Sequence, residues 1–342
     1  MKQLLTTLYV TSKECQIKLN NAGIVIQKAD GEKQRVAGHT IDSIVIFGNS
    51  TITSQMVRWC GQNNVRIIYL TDGGSFCGRI QGETQGNIML RLDQFRNVIS
   101  DNSLRMEISK GILRGKLNNS RIVLQHAARD ASPERRARLS DAAVKIHKVE
   151  DTIKAVEDPA ILRGWEGTAG NIYFSVFNDM IKSDEPEMQF NGRNRRPPKD
   201  CVNSLLSFLY TLLAHDVQNA LESIGLDPEC GYFHTLRSGK PALALDLMEE
   251  FRAPVCDRLV LALINRKQIT SRDFLKQDGA ILLTDQARKL VLKSLHSKKE
   301  EQIFHPIYDD HIPLGLLPFA QAQLLARAIR QQIENYPPFM WH

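Results

Sequence analysis

The sequence predicts a two-domain protein, a small N-terminal β-rich domain followed by a large all-α domain. Two observations carry this. Up to Ile80 the chain is a series of short apolar runs rich in β-branched residues and parted by tight turn signals. From Ile88 onward the apolar residues recur at three- and four-residue spacing, which is the period of a helix face. The expected layout is a β-rich domain over residues 1–85, a linker at 86–91 and a helical domain over 92–342.

Leu4 to Val10, Gln16 to Leu19 and Ile24 to Ile26 read as strands, with Asn21-Ala22-Gly23 and Asp30-Gly31 as turns. Ile41 to Phe47 is a longer strand stopped by Gly48-Asn49. Thr53 to Gly61 is a short helix with Met56, Trp59 and Cys60 on its apolar side, and Val65 to Leu70 and Phe76 to Ile80 are the last strands. Helical spacing then runs through Leu92, Phe95 and Ile99, and again through Met106, Ile112, Leu113 and Leu117. Pro133 and Pro159 stand where helices start. Residues 201–224, 241–265, 283–295 and 313–333 are further helical segments. Ser183 to Asp200 holds Pro186, Gly192, Pro197 and Pro198 without periodicity and reads as a long loop.

A chain of 342 residues can bury about three quarters of its extended surface, so it needs no disulfide staple. With 42% hydrophobic and 24% charged residues it is neither a mostly disordered nor a fibrous chain. The net charge of +6 permits nucleic-acid binding without requiring it. No apolar h-region opens the chain, and no run of about 18 apolar residues occurs, so neither a signal peptide nor a membrane span is expected. The six cysteines are scattered without a CxxC pair, which points to reduced thiols in a cytoplasmic protein and away from structural zinc. Gly73, Gly74, Gly78, Gly82 and Gly86 match neither GxGxxG nor GxxxxGKS and read as turns and a hinge.

Three polar sites need an explanation. Glu166 lies among Gly164, Gly167 and Gly170, poor helix formers whose presence suggests that something approaches this backbone closely; the alternative is an exposed glutamate near a helix start. His234 sits in a loop between helices, where it serves a site or simply faces solvent. In Pro241 to Arg252, Asp246 is followed by Glu249 and Glu250, at i+3 and i+4, so one helix face offers paired carboxylates. They form either a solvated acidic edge or a metal or acid–base site. Arg129, Arg135, Arg136 and Arg138 make one basic group, and Arg193, Arg195, Arg196 and Lys199 another; both suit a phosphate backbone and equally a plain soluble surface. Carboxylates, one imidazole and nearby cations together fit metal-assisted phosphodiester chemistry.

Leu162 to Phe174 (LRGWEGTAGNIYF), Phe233 to Gly239 (FHTLRSG), Leu243 to Arg252 (LALDLMEEFR) and the strand Ile41 to Gly48 resemble the Cas1 family, the integrase and nuclease of CRISPR spacer acquisition. The resemblance covers essentially the whole chain, and its overall form is similar to the Cas1 of subtype I-C systems. It implies a β domain joined by a flexible linker to a helical catalytic domain. It also implies catalytic metal ligands at Glu166, His234 and Glu249, with Asp246 and Glu250 as further acidic residues beside them. Hard oxygens and one imidazole suit Mg²⁺ or Mn²⁺. The implied partners are DNA (the spacer precursor and the CRISPR repeat), a second copy in a homodimer, and a Cas2 dimer in a heterohexamer. The implied reaction is transesterification of spacer 3′-hydroxyl ends into the repeat array. The alternatives are a stand-alone metal-dependent DNA repair nuclease and a non-catalytic DNA-binding scaffold. Arg193, Arg195 and Arg196 are expected to contact DNA phosphates from a mobile loop. Removal of Glu249 is expected to relieve repulsion among carboxylates, and removal of Asp246 to matter less than loss of a ligand.

Overall fold

The computed structural model describes residues 6–12, 14–21, 23–83, 86–194 and 197–341. Leu4 and Leu5 of the first expected strand, Ala22 of the first turn, and Arg195 and Arg196 of the aperiodic loop lie outside the described residues. The chain divides into two compact units, Met1–Thr84 with Asp285–Lys293, and Gln85–Thr284 with Ser294–His342. The two-domain class is as expected: strands dominate the first unit and helices the second.

In the first unit, β1 (Thr6–Val10), β5 (Ile41–Phe47) and β7 (Arg66–Leu70) run parallel, and β8 (Phe76–Ile80) closes the edge antiparallel in the order β1-β5-β7-β8. A second sheet has the order β4-β3-β2-β6, from β2 (Gln16–Asn20), β3 (Gly23–Gln27), β4 (Lys33–Ala37) and β6 (Thr51–Ile52). The central strand β5 is buried along nearly its whole length, as its unbroken Ile-Val-Ile-Phe run requires of a strand covered on both faces. Ile17, Ile24, Ile44, Ile46, Met56 and Ile67 form the core of this unit. Helix α1 (Ser54–Gln62) starts at Thr53, whose hydroxyl accepts from the Met56 amide. The strand β4 escapes a hydrophobic-pattern reading because Lys33, Gln34 and Arg35 are exposed; polar edges of this kind protect a sheet from pairing with other chains.

The second unit begins with α2 (Ile88–Ser100), inside the stretch expected as linker. It continues with α3 (Asn102–Arg129), α4 (Pro133–Thr152), α5 (Pro159–Ser175), α6 (Cys201–Ile224), α7 (Ala242–Phe251) and α8 (Arg258–Asn265), and then α9 (Asp285–Glu300), whose first half counts with the other unit, and α10 (Leu317–Ile329). Asp101, Asp158 and Asp200 cap α3, α5 and α6 by accepting from amides of the first turn. Two short hairpins interrupt the helices, β9 (Phe274–Gln277) with β10 (Ala280–Leu283), and β11 (Gln302–His305) with β12 (Asp310–Pro313). Among the described residues no helix is long and apolar enough to cross a membrane.

The segment read as one helix over 241–265 is three pieces. A π-helical stretch, Arg252–Asp257, separates α7 from α8. Pro254 has no amide hydrogen, so the Glu250 carbonyl four residues earlier loses its helical donor. Asn119 of α3 supplies one instead, its amide nitrogen lying 2.7 Å from the Glu250 carbonyl oxygen. The break is thus stapled to the longest helix of the unit.

Candidate active site

All three acids of α7 are buried, Asp246 at 0%, Glu249 at 3% and Glu250 at 0% exposure. A solvated acidic edge is therefore excluded, and each buried carboxylate must find its own compensation.

Asp246 finds it in the loop that precedes α7. Its Oδ2 accepts from the Tyr232 amide at 2.7 Å and the Phe233 amide at 3.0 Å. Its Oδ1 accepts from the His234 amide at 2.8 Å and pairs with His234 Nδ1 at 2.6 Å. An ionised carboxylate only accepts, so Nδ1 carries the hydrogen and Nε2 is the nitrogen left for a ligand. The loop closes on Asp246 because residue 231 is glycine: a Cβ there would lie 2.7 Å from Asp246 Oδ2 and 2.8 Å from Ala242 Cβ.

Glu249 sits between two cations. Its Oε1 is 3.2 Å from an Arg252 guanidinium nitrogen, and its Oε2 is 2.8 Å from Lys116 Nζ. Burial alone would raise the carboxyl, but Arg252, Lys116 and His234 outweigh it and hold Glu249 at about 2. Lys116 also pairs with Glu166. Thus α5 and α7, distant in sequence, each deliver a carboxylate to one ammonium on α3. Close packing makes this possible. A Cβ at Gly115 would lie 2.9 Å from Glu250 Cγ and 3.0 Å from Pro338 Cβ, so the glycine next to Lys116 leaves no room for a side chain between α3 and α7.

The structure therefore places Glu166 and Glu249 on a shared cation, with His234 near enough to lower the Glu249 carboxyl. Among the described residues no three of His, Cys, Asp and Glu stand together as a ready metal-binding group. The donor set nevertheless fits a divalent cation. Two hard carboxylates already share a positive charge, and Glu249 Oε2 is buried without a hydrogen bond of good geometry.

Glu250 does not join them. Tyr336 OH donates to its Oε1 at 2.7 Å, and the Phe339 amide and Gln321 donate to its Oε2 at 2.7 and 3.1 Å. Its carboxylate anchors the C-terminal segment. Burial raises its carboxyl to about 8, against the smaller opposing effect of these donors. A folded-state value above the ordinary 4.5 means that the folded protein holds a proton the unfolded chain releases. The resulting stability is full below pH 4.5 and is lost as pH rises through about 8. Glu250→Gln is expected to flatten the fall in thermal midpoint over that interval by the equivalent of a few kcal/mol. An unchanged slope across pH 5–9, about the range of the measurement, would show that the group titrates normally.

Sequence reading missed Lys116, Arg252 and a polar cluster behind them. Asp257 accepts from Tyr210 OH at 2.6 Å and from Tyr173 OH at 3.0 Å. The guanidinium groups of Arg252 and Arg193 lie 5.0 and 5.3 Å from the centre of the Tyr210 ring. Lys116, Tyr173, Tyr210, Glu249, Arg252 and Asp257 line one pocket. The signal for Arg252 was its place three residues after Glu249, the spacing of a helical ion pair; Lys116, on another helix, had none.

Arg193 donates to Asn203 Oδ1 at 2.6 Å and Ser207 Oγ at 3.2 Å. In the other basic group, Arg138 pairs with Asp179 at 2.7 Å, and Arg135 and Arg136 donate to the Ile181 and Ala128 carbonyls. By contrast, a Cβ at Gly164, Gly167 or Gly170 would meet nothing within 4 Å beyond its chain neighbours and its own helix backbone. These glycines serve no internal packing and leave bare helix backbone beside Glu166.

The family model for "CRISPR associated protein Cas1" matches residues 8–297. A curated relative from Rhodospirillum rubrum, a CRISPR-associated endonuclease Cas1, is 41% identical over 100% of both chains. A second from Chlorobaculum tepidum, with the same description, is also 41% identical over 100% of both. Among solved structures, a Cas1 protein from Thermotoga maritima superposes with a TM-score of 0.82 at 23% identity, covering 95% of this chain and 97% of that one. The last comparison shows the fold, and the first three show the lineage: the chain belongs to the Cas1 family.

Proposed function

We propose that this protein is the metal-dependent DNA integrase and endonuclease of CRISPR adaptation, joining spacer 3′-hydroxyl ends to the repeat array by transesterification. The observation that carries the reading is the meeting of Glu166 and Glu249 on one cation, with His234 held nearby by Asp246. Full-length relatives at 41% identity that are called endonucleases support it.

Glu166, Glu249 through Oε2, and His234 through Nε2 would hold Mg²⁺ or Mn²⁺. Bound there, the ion offsets charge that develops on the phosphate oxygens. The protein's own groups do the positioning. Asp246 fixes the imidazole, Arg252 holds Glu249 by its other oxygen, and the bare glycine backbone of α5 leaves room for a nucleic-acid strand. In the exchange the 3′-oxygen forms one bond to phosphorus, one phosphorus–oxygen bond of the target breaks, and the proton of the attacking hydroxyl ends on the leaving oxygen. One ester replaces another, so no nucleotide is consumed. Water in place of the 3′-hydroxyl gives cleavage. The partners we assign are spacer and repeat DNA, a second copy of the chain, and a Cas2 dimer completing a heterohexamer in the cytoplasm. We assign the I-C subtype from overall sequence form; neighbouring genes test it.

The test of the reaction is whether labelled DNA with a free 3′-hydroxyl becomes joined to a supercoiled repeat-containing plasmid in Mn²⁺. Cleavage without joining would favour the repair nuclease, and neither activity would favour the scaffold. The phosphate-contact reading covers Arg193, Arg195 and Arg196; because Arg193 also holds Asn203 and Ser207, it is tested at the other two. Replacing both by alanine is expected to lower the log–log salt slope of DNA binding by up to about 1.8, or about 0.9 per lost phosphate contact. An unchanged slope would make them plain surface residues.

A further inference from the structure

The pairing of one lysine with both expected carboxylate ligands calls for a role beyond charge balance. Lys116 Nζ lies 2.8 Å from Glu249 Oε2 and also pairs with Glu166. Its side chain is only 15% exposed, so the ammonium is largely withdrawn from water and depends on those two carboxylates. Its hold on Glu249 is uneven, however. Oε2 is at ion-pair distance but lacks a hydrogen bond of good geometry. Arg252 occupies Oε1 at 3.2 Å, and this second cation can stay when the first leaves. Oε2 is thus the oxygen that one cation can hand to another without Glu249 losing all its compensation.

We propose that Lys116 is a displaceable counter-ion: its ammonium holds Glu166 and Glu249 together until a divalent metal ion exchanges with it at Glu249 Oε2. This rests on the metal-site reading above and adds a competition to it. The lysine keeps two carboxylates from repelling each other and keeps the site assembled. In return it weakens metal binding, because only the fraction of molecules with the ammonium swung away is competent. If that fraction is about one tenth, the apparent affinity is about tenfold below the intrinsic one. By reciprocity the metal frees the ammonium, which then stands at the rim of the same site.

The test is Mn²⁺ binding measured by calorimetry on chelator-treated full-length protein, for the parent, Lys116→Met and Lys116→Gln. Both variants are expected to bind Mn²⁺ about tenfold more tightly than the parent. Equal or weaker binding in the variants, with the parent binding normally, would overturn the exchange while leaving the metal site standing. No Mn²⁺ binding by the parent would overturn both. Amine acylation of the parent, followed by peptide mass analysis, needs no variant to fold. Mn²⁺ is expected to raise the labelling rate of Lys116 relative to Lys110 and Lys154, and a lower or unchanged ratio would refute its release.

Discussion

Glu249→Ala is expected to abolish strand transfer and to destabilise the chelator-treated protein by about 3–5 kcal/mol, the cost of removing one partner from a buried ion pair. The sign is opposite to the sequence-based expectation that losing a carboxylate relieves repulsion. That expectation set Glu249 against its acidic neighbours on the helix. The structure sets it between Lys116 and Arg252 instead, so the alanine variant takes the carboxylate from Arg252 and leaves Lys116 with Glu166 alone. The pH dependence follows from the direction of the shift. Glu249 is held at about 2, below its ordinary 4.5. Its stabilisation is full above pH 4.5 and disappears as pH falls through about 2. The gap in unfolding free energy between parent and variant should therefore be constant near neutrality and narrow in acid. A variant as stable as its parent at pH 7 would mean that the two cations find other partners. Parental strand transfer in the variant would remove Glu249 from the site.

The second large effect is expected at Asp246. The alanine variant leaves two buried amides and a half-buried one without an acceptor, the buried ones costing about 1–3 kcal/mol each, so the His234 loop should lose its fixed form. Sequence reasoning ranked this position below the ligands, whereas the structure makes it the residue around which the loop is built. Asp246→Asn separates folding from function, since it keeps one accepting oxygen in the same volume. It is expected to remain folded yet to lose about 10- to 100-fold in Mn²⁺ affinity or strand transfer, as for other partners that orient a ligating histidine. Nitrogen chemical shifts of the His234 ring report the cause directly. The parent should show hydrogen on Nδ1, and the asparagine variant a mixture of tautomers. An unchanged ring spectrum with unchanged activity would show that Asp246 holds the loop and nothing more.

Glu250 shows why adjacency in sequence misleads. Glu249 and Glu250 are neighbours, but consecutive residues on a helix point about 100° apart. One carboxylate meets the cations Lys116 and Arg252, the other the donors of Tyr336, Phe339 and Gln321.

Order of elements, the two-part division and the acidic helix were legible from the chain because they depend on local pattern. Period 2 gave way to period 3.6 near Ile88, and Asp246, Glu249 and Glu250 stood out as acids in an apolar helix. The strand β4 and the two C-terminal hairpins were not legible, since short exposed strands carry little apolar alternation. Neither was Lys116, an ordinary lysine in a long helix. Its meaning comes from Gly115, which brings α3 against α7, and from α5, which brings Glu166 to the same point. Sequence patterns record which face a side chain takes on its own element. Which charge it meets across the core depends on the packing of several elements at once, and in a poorly hydrated interior that meeting decides both the ionisation of Glu249 and the sign of its contribution to stability.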